Sequence, residues 1–375
     1  MIPLFKVFCV DDVCDQLKTV FDSGYIGQGQ KVEEFEASLR GRFQSDYVAT
    51  TNSGTAALHL AIHLVKNRHG LGSEHEVLTT ALTCTATNWP ILANGLRLKW
   101  ADIDPRNLNI DIDDVARKLT PNVRAVMVVH WGGYPVDLYR LKKVVGVAEE
   151  MYGHEISIIE DCAHAFGSVY KGLPIGAHRN YCAFSFQAIK HLTCGDGGAI
   201  VTPSASQHRM AVLKRWYGID RNCNRKDFRC EADIMEWGFK FHMNDINATI
   251  GLANLKHVDE MVMKKQNDNA EFFNENLKNV DGVRPLVSDE GFESSYWIYT
   301  IRVERRHDFY RAMNDAGIMS SQVHERNDKH ACVSEFRTQL PTLDEVLPEV
   351  ACIPVGWWVT EEERQHIVDS IKKGW

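Results

Sequence analysis

No apolar run in this 375-residue chain approaches the length needed to cross a bilayer as a helix, so no membrane span is expected. There is no basic excess either: 42 Lys and Arg stand against 50 Asp and Glu, a formal net charge of −8. General nucleic-acid binders carry a basic face, so no nucleic-acid partner is expected, while a local basic pocket for a phosphorylated ligand stays open. The stretch MIPLFKVFCVDDVCDQL lacks the basic start, apolar core and cleavage site of a secretory signal, and the expected location is the cytoplasm. Ten cysteines form no CxxC pair and no Cys/His cluster at zinc-finger spacing; reduced, mostly buried thiols are expected, and no metal. Low-complexity segments and internal repeats are also missing.

What is present suits a soluble globular protein: 44% apolar and 25% charged residues, enough chain for one large core with a smaller second lobe, or two domains. Val13, Leu17 and Val20 fall at helical spacing, and Asp22-Ser23-Gly24 ends that run. Thr51 to Leu58 opens an amphipathic helix reaching Leu64. Strands are expected at 77–81, 96–102, 123–129 and 156–160, with helices between them, including Leu138 to Tyr152. Such alternation implies a mostly parallel sheet clothed by helices on both faces. A long helix from Asp245 towards Leu277, with Ile246, Ile250, Leu252, Leu255, Val258 and Met261 as core positions, links this large unit to a small carboxyl-terminal α/β domain. That domain holds a half-buried strand over 297–303 and helices over 308–316 and 361–373. The expected division is 1–255 and 256–375, within the linking helix.

The chemistry concentrates between Ile158 and Val201. An apolar run ends in Glu160-Asp161, which puts a carboxylate at a strand end. Cys182 to Phe186 then leads to Lys190, followed by Gly195-Asp196-Gly197-Gly198. A lysine between apolar neighbours and a glycine-rich turn is placed to lose its proton, because burial disfavours the ammonium form and neutral amines attack carbonyls. That meets the requirement for a Schiff base with pyridoxal phosphate, whose ring nitrogen needs an acid such as Asp161 beside it. Taken alone, the pair reads better as a solvated loop lysine at Lys190 and a helix cap at Asp161.

The spaced set ED-x-A-x-A-x-G, SF-x3-K and G-[DE]-GG resembles the DegT/DnrJ/EryC1/StrS family of pyridoxal-phosphate-dependent sugar aminotransferases, on the fold type I scaffold. The resemblance covers almost the whole chain. It implies that Gly54 and Thr55, at the start of a helix whose dipole favours anions, hold the cofactor phosphate, with Ser185 adding its hydroxyl. Capping by Asn52 or Ser53 explains the same segment without a ligand. It also implies His164 next to the ring hydroxyl, where the family often has Gln. An aromatic usually follows the Thr of the LT-x-x-A pattern; here Cys84 takes that place, and either its thiol or Trp89 is left to face the ring.

Three further segments carry the resemblance. SGYIGQGQKVEEFE is similar to the family's loop over the sugar pocket and makes Gln28 a candidate substrate contact, although a surface turn fits as well. WGFKFHMNDINA is similar to the segment that crosses to a neighbouring subunit's cofactor phosphate, implying a homodimer and nominating Lys240, with His242 and Asn244 as alternatives. The stretch from Ser320 to Asn327 matches the substrate-facing segment at His324 and offers Arg326 to a nucleotide diphosphate, or to nothing but solvent. The implied activity is transfer of an amino group from glutamate to a nucleotide-linked keto sugar in deoxyamino-sugar biosynthesis, with the cofactor passing through its pyridoxamine form. Two other readings stay open. One is a dehydratase of the same fold, in which a histidine replaces the lysine and His191 is adjacent; the other is a non-catalytic regulatory protein.

Overall fold

The computed structural model describes residues 1–221 and 233–375. The polar excursion running to Cys230 therefore falls largely outside the described residues. Helices α1 (Val13–Ser23) and α2 (Gln30–Phe43) lead into β1 (Val48–Thr51) and α3 (Gly54–His69). Strand and helix then alternate: β2 (Glu76–Thr80), α4 (Thr85–Ala93), β3 (Arg97–Ala101), α5 (Ile112–Lys118), β4 (Val123–Val129), α6 (Leu138–Tyr152) and β5 (Ser157–Asp161). A short hairpin, β6 (Val169–Tyr170) with β7 (Leu173–Pro174), precedes β8 (Tyr181–Ser185), β9 (Gly198–Val201) and α7 (Ala205–Lys214).

Seven strands form one sheet in the order β1-β9-β8-β5-β4-β2-β3. From β3 to β8 the neighbours are parallel, and β9 runs antiparallel between β8 and β1. The inner parallel strands are buried on both faces, while the edge strand β3 exposes Arg97. Val126 and Val128 enter one hydrophobic layer while Ala125 and Met127 enter the other, as the two-residue period of a strand requires. Helices α2 and α6 cover the first layer and α3 the second, which is why these strands read as nearly continuous apolar runs.

The remaining elements are α8 (Asp245–Leu255), α9 (Lys264–Leu277), β10 (Val283–Pro285), β11 (Phe292–Glu293), β12 (Tyr299–Val303), α10 (Arg306–Asp315), α11 (Pro341–Val346), β13 (Val350–Ile353) and α12 (Glu361–Lys372). Strands β10, β12 and β13 make a three-stranded antiparallel sheet, packed with α9, α10 and α12 around Phe273, Ile301 and Phe309. Ile2 joins this second core and bridges to Ile318. No helix among the described residues is long and apolar enough to cross a membrane.

The continuous helix expected from Asp245 to Leu277 is in fact two helices. A π-type turn over Val258–Met263 separates α8 from α9. The wider turn rotates the side chains relative to a plain 3.6-residue period. Met261, expected in the core, is 42% exposed, and Val262 and Met263 are buried instead.

One long-range cap ties the fold together near the site. The Asp245 carboxylate accepts from the N–H groups of Gly29 (2.8 Å) and Val32 (3.2 Å) and so caps α2, while Asn244 caps α8 by accepting from Asn247 N–H (2.9 Å). The two helices thus start from one pinned junction.

Candidate active site

Strands β4, β5 and β8 end at the same edge of the sheet, the position where open α/β sheets collect ligands. Asp161 is the last residue of β5 and Ser185 the last of β8. The helices α3 and α4 begin beside them. A cavity of about 300 Å³ lies between these ends, a size suited to a small-molecule ligand. Lys190, Asp161, Gly54, Thr55, Cys84, His164, Ser185 and His324 all line it, so the structure brings together eight residues scattered over 270 positions of the chain (324 − 54).

The α3 end is built for close approach. Ser53 caps the helix, its hydroxyl accepting from Ala56 N–H at 3.1 Å, which leaves the first N–H groups of the helix without an intrahelical acceptor. A Cβ on Gly54 would come within 2.6 Å of Ser185 Cβ. One on Gly198 would meet the Ser53 carbonyl oxygen at 2.5 Å. Glycine at both positions lets β1, β9 and the α3 start converge. Behind them, Arg215 pairs with Glu36 and donates to the Thr50 carbonyl at 2.7 Å, holding the strand that delivers this loop.

Asp161 is buried and doubly held. Its Oδ2 accepts from Thr87 Oγ1 at 2.6 Å and its Oδ1 from Ala163 N–H at 3.0 Å. The Thr87 hydroxyl is in turn 2.7 Å from that of Thr83. Burial pushes the Asp161 carboxyl above its ordinary range, offset in part by Thr87, Ala163 and the charge of Lys190. A cation beside it would reverse that direction.

Burial brings the Lys190 amine down to about 8, against the opposing pull of Asp161 and Cys84. Its Nζ lies 3.5 Å from the centre of the Trp297 ring. The indole N–H of Trp297 donates to the Ile189 carbonyl at 2.8 Å, which fixes the ring against the lysine loop. His191 does not line the cavity: its Nε2 donates to the Ser295 carbonyl at 2.8 Å. Lys190, not its neighbour, is the residue presented.

Several expected contacts are not made within one chain. The Arg326 guanidinium is not free for a diphosphate, because it forms a fork on Asp328 (2.7 Å at both oxygens) and pairs with Asp344 as well. Gln28 lies in a separate groove of about 810 Å³ beside α1 and Asp245. Trp89 packs edge-on to His330 at 5.7 Å instead of facing the cavity, so Cys84, the residue preceding α4, occupies that wall. Lys240 is exposed, and its carbonyl accepts from Asn52 Nδ2 at 3.2 Å beside the α3 start. Of the alternatives to it, Asn244 is engaged in capping, and His242 packs tilted against Trp216 with ring centres 3.5 Å apart.

Sequence reasoning missed Trp297, Thr87 and Asp196, all close to the reacting groups. Thr87 had a signal, since Thr83 and Thr87 are four apart at a helix start. Trp297 had none: nothing local distinguishes it from a core residue at the head of a strand.

Residues 10–372 match the model of the DegT/DnrJ/EryC1/StrS aminotransferase family. The chain is 46% identical to the sugar aminotransferase CalS13 from Micromonospora echinospora, each chain covered over its full length, with a TM-score of 0.96. It is 48% identical to AtS13 from Actinomadura melliaura, covering 100% of this chain and 99% of the other, again with a TM-score of 0.96. Spr1654 from Streptococcus pneumoniae, solved in a PMP form, is 23% identical over 100% and 98% of the two chains with a TM-score of 0.90, a likeness of fold.

Proposed function

The chain belongs to the DegT/DnrJ/EryC1/StrS aminotransferase family, and from that premise we propose that it moves an amino group from glutamate to a nucleotide-linked keto sugar, using pyridoxal phosphate. The observation that carries this reading is that Lys190 and Asp161 line one cavity with the helix start at Gly54 and Thr55. Likeness to the sugar aminotransferase CalS13 supports a sugar as acceptor.

The residues present fit the cofactor. Free N–H groups at the α3 start and the Ser185 hydroxyl suit a phosphate, Asp161 suits a protonated ring nitrogen, and the buried, unpartnered Nδ1 of His164 suits a ring hydroxyl. When bound, pyridoxal phosphate supplies the carbonyl that takes up nitrogen and a ring that delocalises the electrons left by a departing proton.

The rest is the work of the protein. Lys190 Nζ, with its pKa near 8, is neutral often enough to attack a carbonyl, and as a free amine it can take a proton from carbon and give it back. Trp297 confines the amine on one side of the cavity. Asp161, oriented by Thr87, offers a carboxylate to positive charge in the same cavity. Cys84 and His164 offer flat or compact walls between them.

We extend the reading to a homodimer. Tyr25, Met235 and Trp237 are exposed apolar side chains, and the Lys240 segment lies at the surface beside the phosphate-side loop. Sedimentation would give the assembly state, with a monomer counting against it. The chemical test is incubation with pyridoxal phosphate and glutamate. A visible band that shifts when glutamate is added, and disappears in Lys190→Ala together with turnover, supports the reading; transamination retained by Lys190→Ala would refute it.

A further inference from the structure

Two imidazoles on one wall of the cavity meet nitrogen to nitrogen. His164 lies face to face with Trp297, ring centres 3.8 Å apart, and is parallel to His324 within 2° at 5.4 Å. The Nε2 atoms of the two histidines approach to 3.4 Å. Trp131 meets both rings edge-on, at 6.3 and 5.9 Å, and its own N–H is held by Thr300 Oγ1 at 3.2 Å. His164 is only 3% exposed, and its Nδ1 has no protein partner.

A contact between two neutral imidazole nitrogens holds one proton, so the tautomer of one ring dictates that of the other. Burial and the nearby Lys190 charge keep both rings neutral, His324 down at about 3 and His164 well below its ordinary value. With the shared proton on His164, its Nδ1 is an acceptor. With the proton on His324, His164 Nδ1 carries a hydrogen and His324 Nδ1 is the acceptor.

We propose that His324 and His164 act as a two-ring proton relay between the substrate side of the cavity and the cofactor side. A proton from a substrate hydroxyl or water enters at His324 Nδ1. The hydrogen on His324 Nε2 passes to His164 Nε2, and the hydrogen on His164 Nδ1 leaves to the ligand oxygen beside it. One proton enters and one departs, so neither ring is left charged. The relay rests on the cofactor reading, because that oxygen would be the ionised ring oxygen of pyridoxal phosphate, which becomes the ring hydroxyl on taking the proton.

The test is long-range 1H–15N NMR on the full chain labelled at histidine. Pyridoxal phosphate should move the ring-nitrogen resonances of His164 and His324 together, and an analogue without the ring hydroxyl should move neither. In His164→Gln the His324 response should vanish while pyridoxal phosphate still binds within roughly tenfold, since the amide keeps a hydrogen bond. For turnover, His164→Gln and His324→Gln should each lose about 100-fold in kcat, and the double variant no more than the worse single one. Losses that multiply would overturn the relay. So would a cofactor that binds with its visible band and leaves His324 unmoved, in which case the cofactor reading stands. Failure of pyridoxal phosphate to bind at all would remove both.

Discussion

Lys190 Nζ sits 3.5 Å from the centre of the Trp297 ring, a lysine of the loop after β8 against an indole two residues ahead of β12. Burial there makes the amine hold its proton less firmly than in water, although the ring face itself attracts the cation.

A buried lysine of this kind costs stability. The unfolded amine titrates near 10.5 and the folded one at about 8, so between those values the unfolded chain binds more protons and stability rises with pH. Below 8 the full penalty of roughly 3 kcal/mol applies. Lys190→Met should therefore stabilise the cofactor-free protein by about that amount at pH 7, and the gain should fade above pH 10.5. Urea melts at the two pH values test this; equal stability of both proteins at pH 7 would remove the assignment.

Trp297→Ala removes the wall that shields Lys190. Since burial is the largest cause of the lowered value, the amine should titrate closer to 10.5, and folding should lose about 3–5 kcal/mol. Trp297→Phe should retain most of the shift. Titration of reductively methylated lysine by NMR reads the value, and a Lys190 still near 8 in the alanine variant would contradict the shielding.

Thr87→Val deprives Asp161 of its 2.6 Å hydrogen bond inside a buried site. An unsatisfied buried acceptor costs roughly 1–3 kcal/mol, and the carboxyl should be driven further up. Turnover should fall about tenfold, and Asp161→Ala should cost turnover more than cofactor binding. Rates unchanged in both variants would exclude Asp161 from the chemistry.

Gly54→Ala sets a Cβ against Ser185 Cβ at 2.6 Å. Cofactor affinity should drop about tenfold or more, and Ser185→Gly in the same chain should recover the lost thermal stability without restoring full affinity, because the hydroxyl is gone. Calorimetry and a pyridoxal phosphate titration separate the two effects.

The buried pair Arg215–Glu36 holds Thr50 behind the same loop. Burial alone would raise the Glu36 carboxyl, but the Arg215 charge and the Thr50 hydrogen bonds bring it below its ordinary 4.5. Its contribution to stability is thus present above the unfolded value and lost as pH falls through the lower folded one. Arg215→Met should cost about 3–5 kcal/mol near neutral pH by stranding the acid, and the cost should shrink in acid as Glu36 is protonated. Denaturation curves across that range check the sign.

Much of the large sheet was legible because parallel strands buried on both faces leave short apolar runs, and because chemistry sits at their ends. Val123–Val129 and Leu138–Tyr152 fall where the pattern put them. The linking helix did not, since a single π-type turn shifts the apolar phase by too little to mark the break while still turning Met261 outward. Arg326 is taken up by Asp328 two positions on and by Asp344 eighteen positions away; only the second partner lies beyond local reading.

The sequence by itself picked out Lys190 and Asp161, together with the helix start at Gly54, and all three line one cavity. Those features are local: a strand end, a glycine turn and a helix cap each need only a few neighbouring residues. Tertiary structure alone decided what surrounds them. That Trp297 confines the amine, that His324 reaches His164, and that Asp245 caps a helix 213 residues back at Val32 are all outcomes of packing between distant segments. Such contacts depend on how the sheet's two layers and a further hydrophobic cluster come together in space, and no periodicity along the chain encodes them.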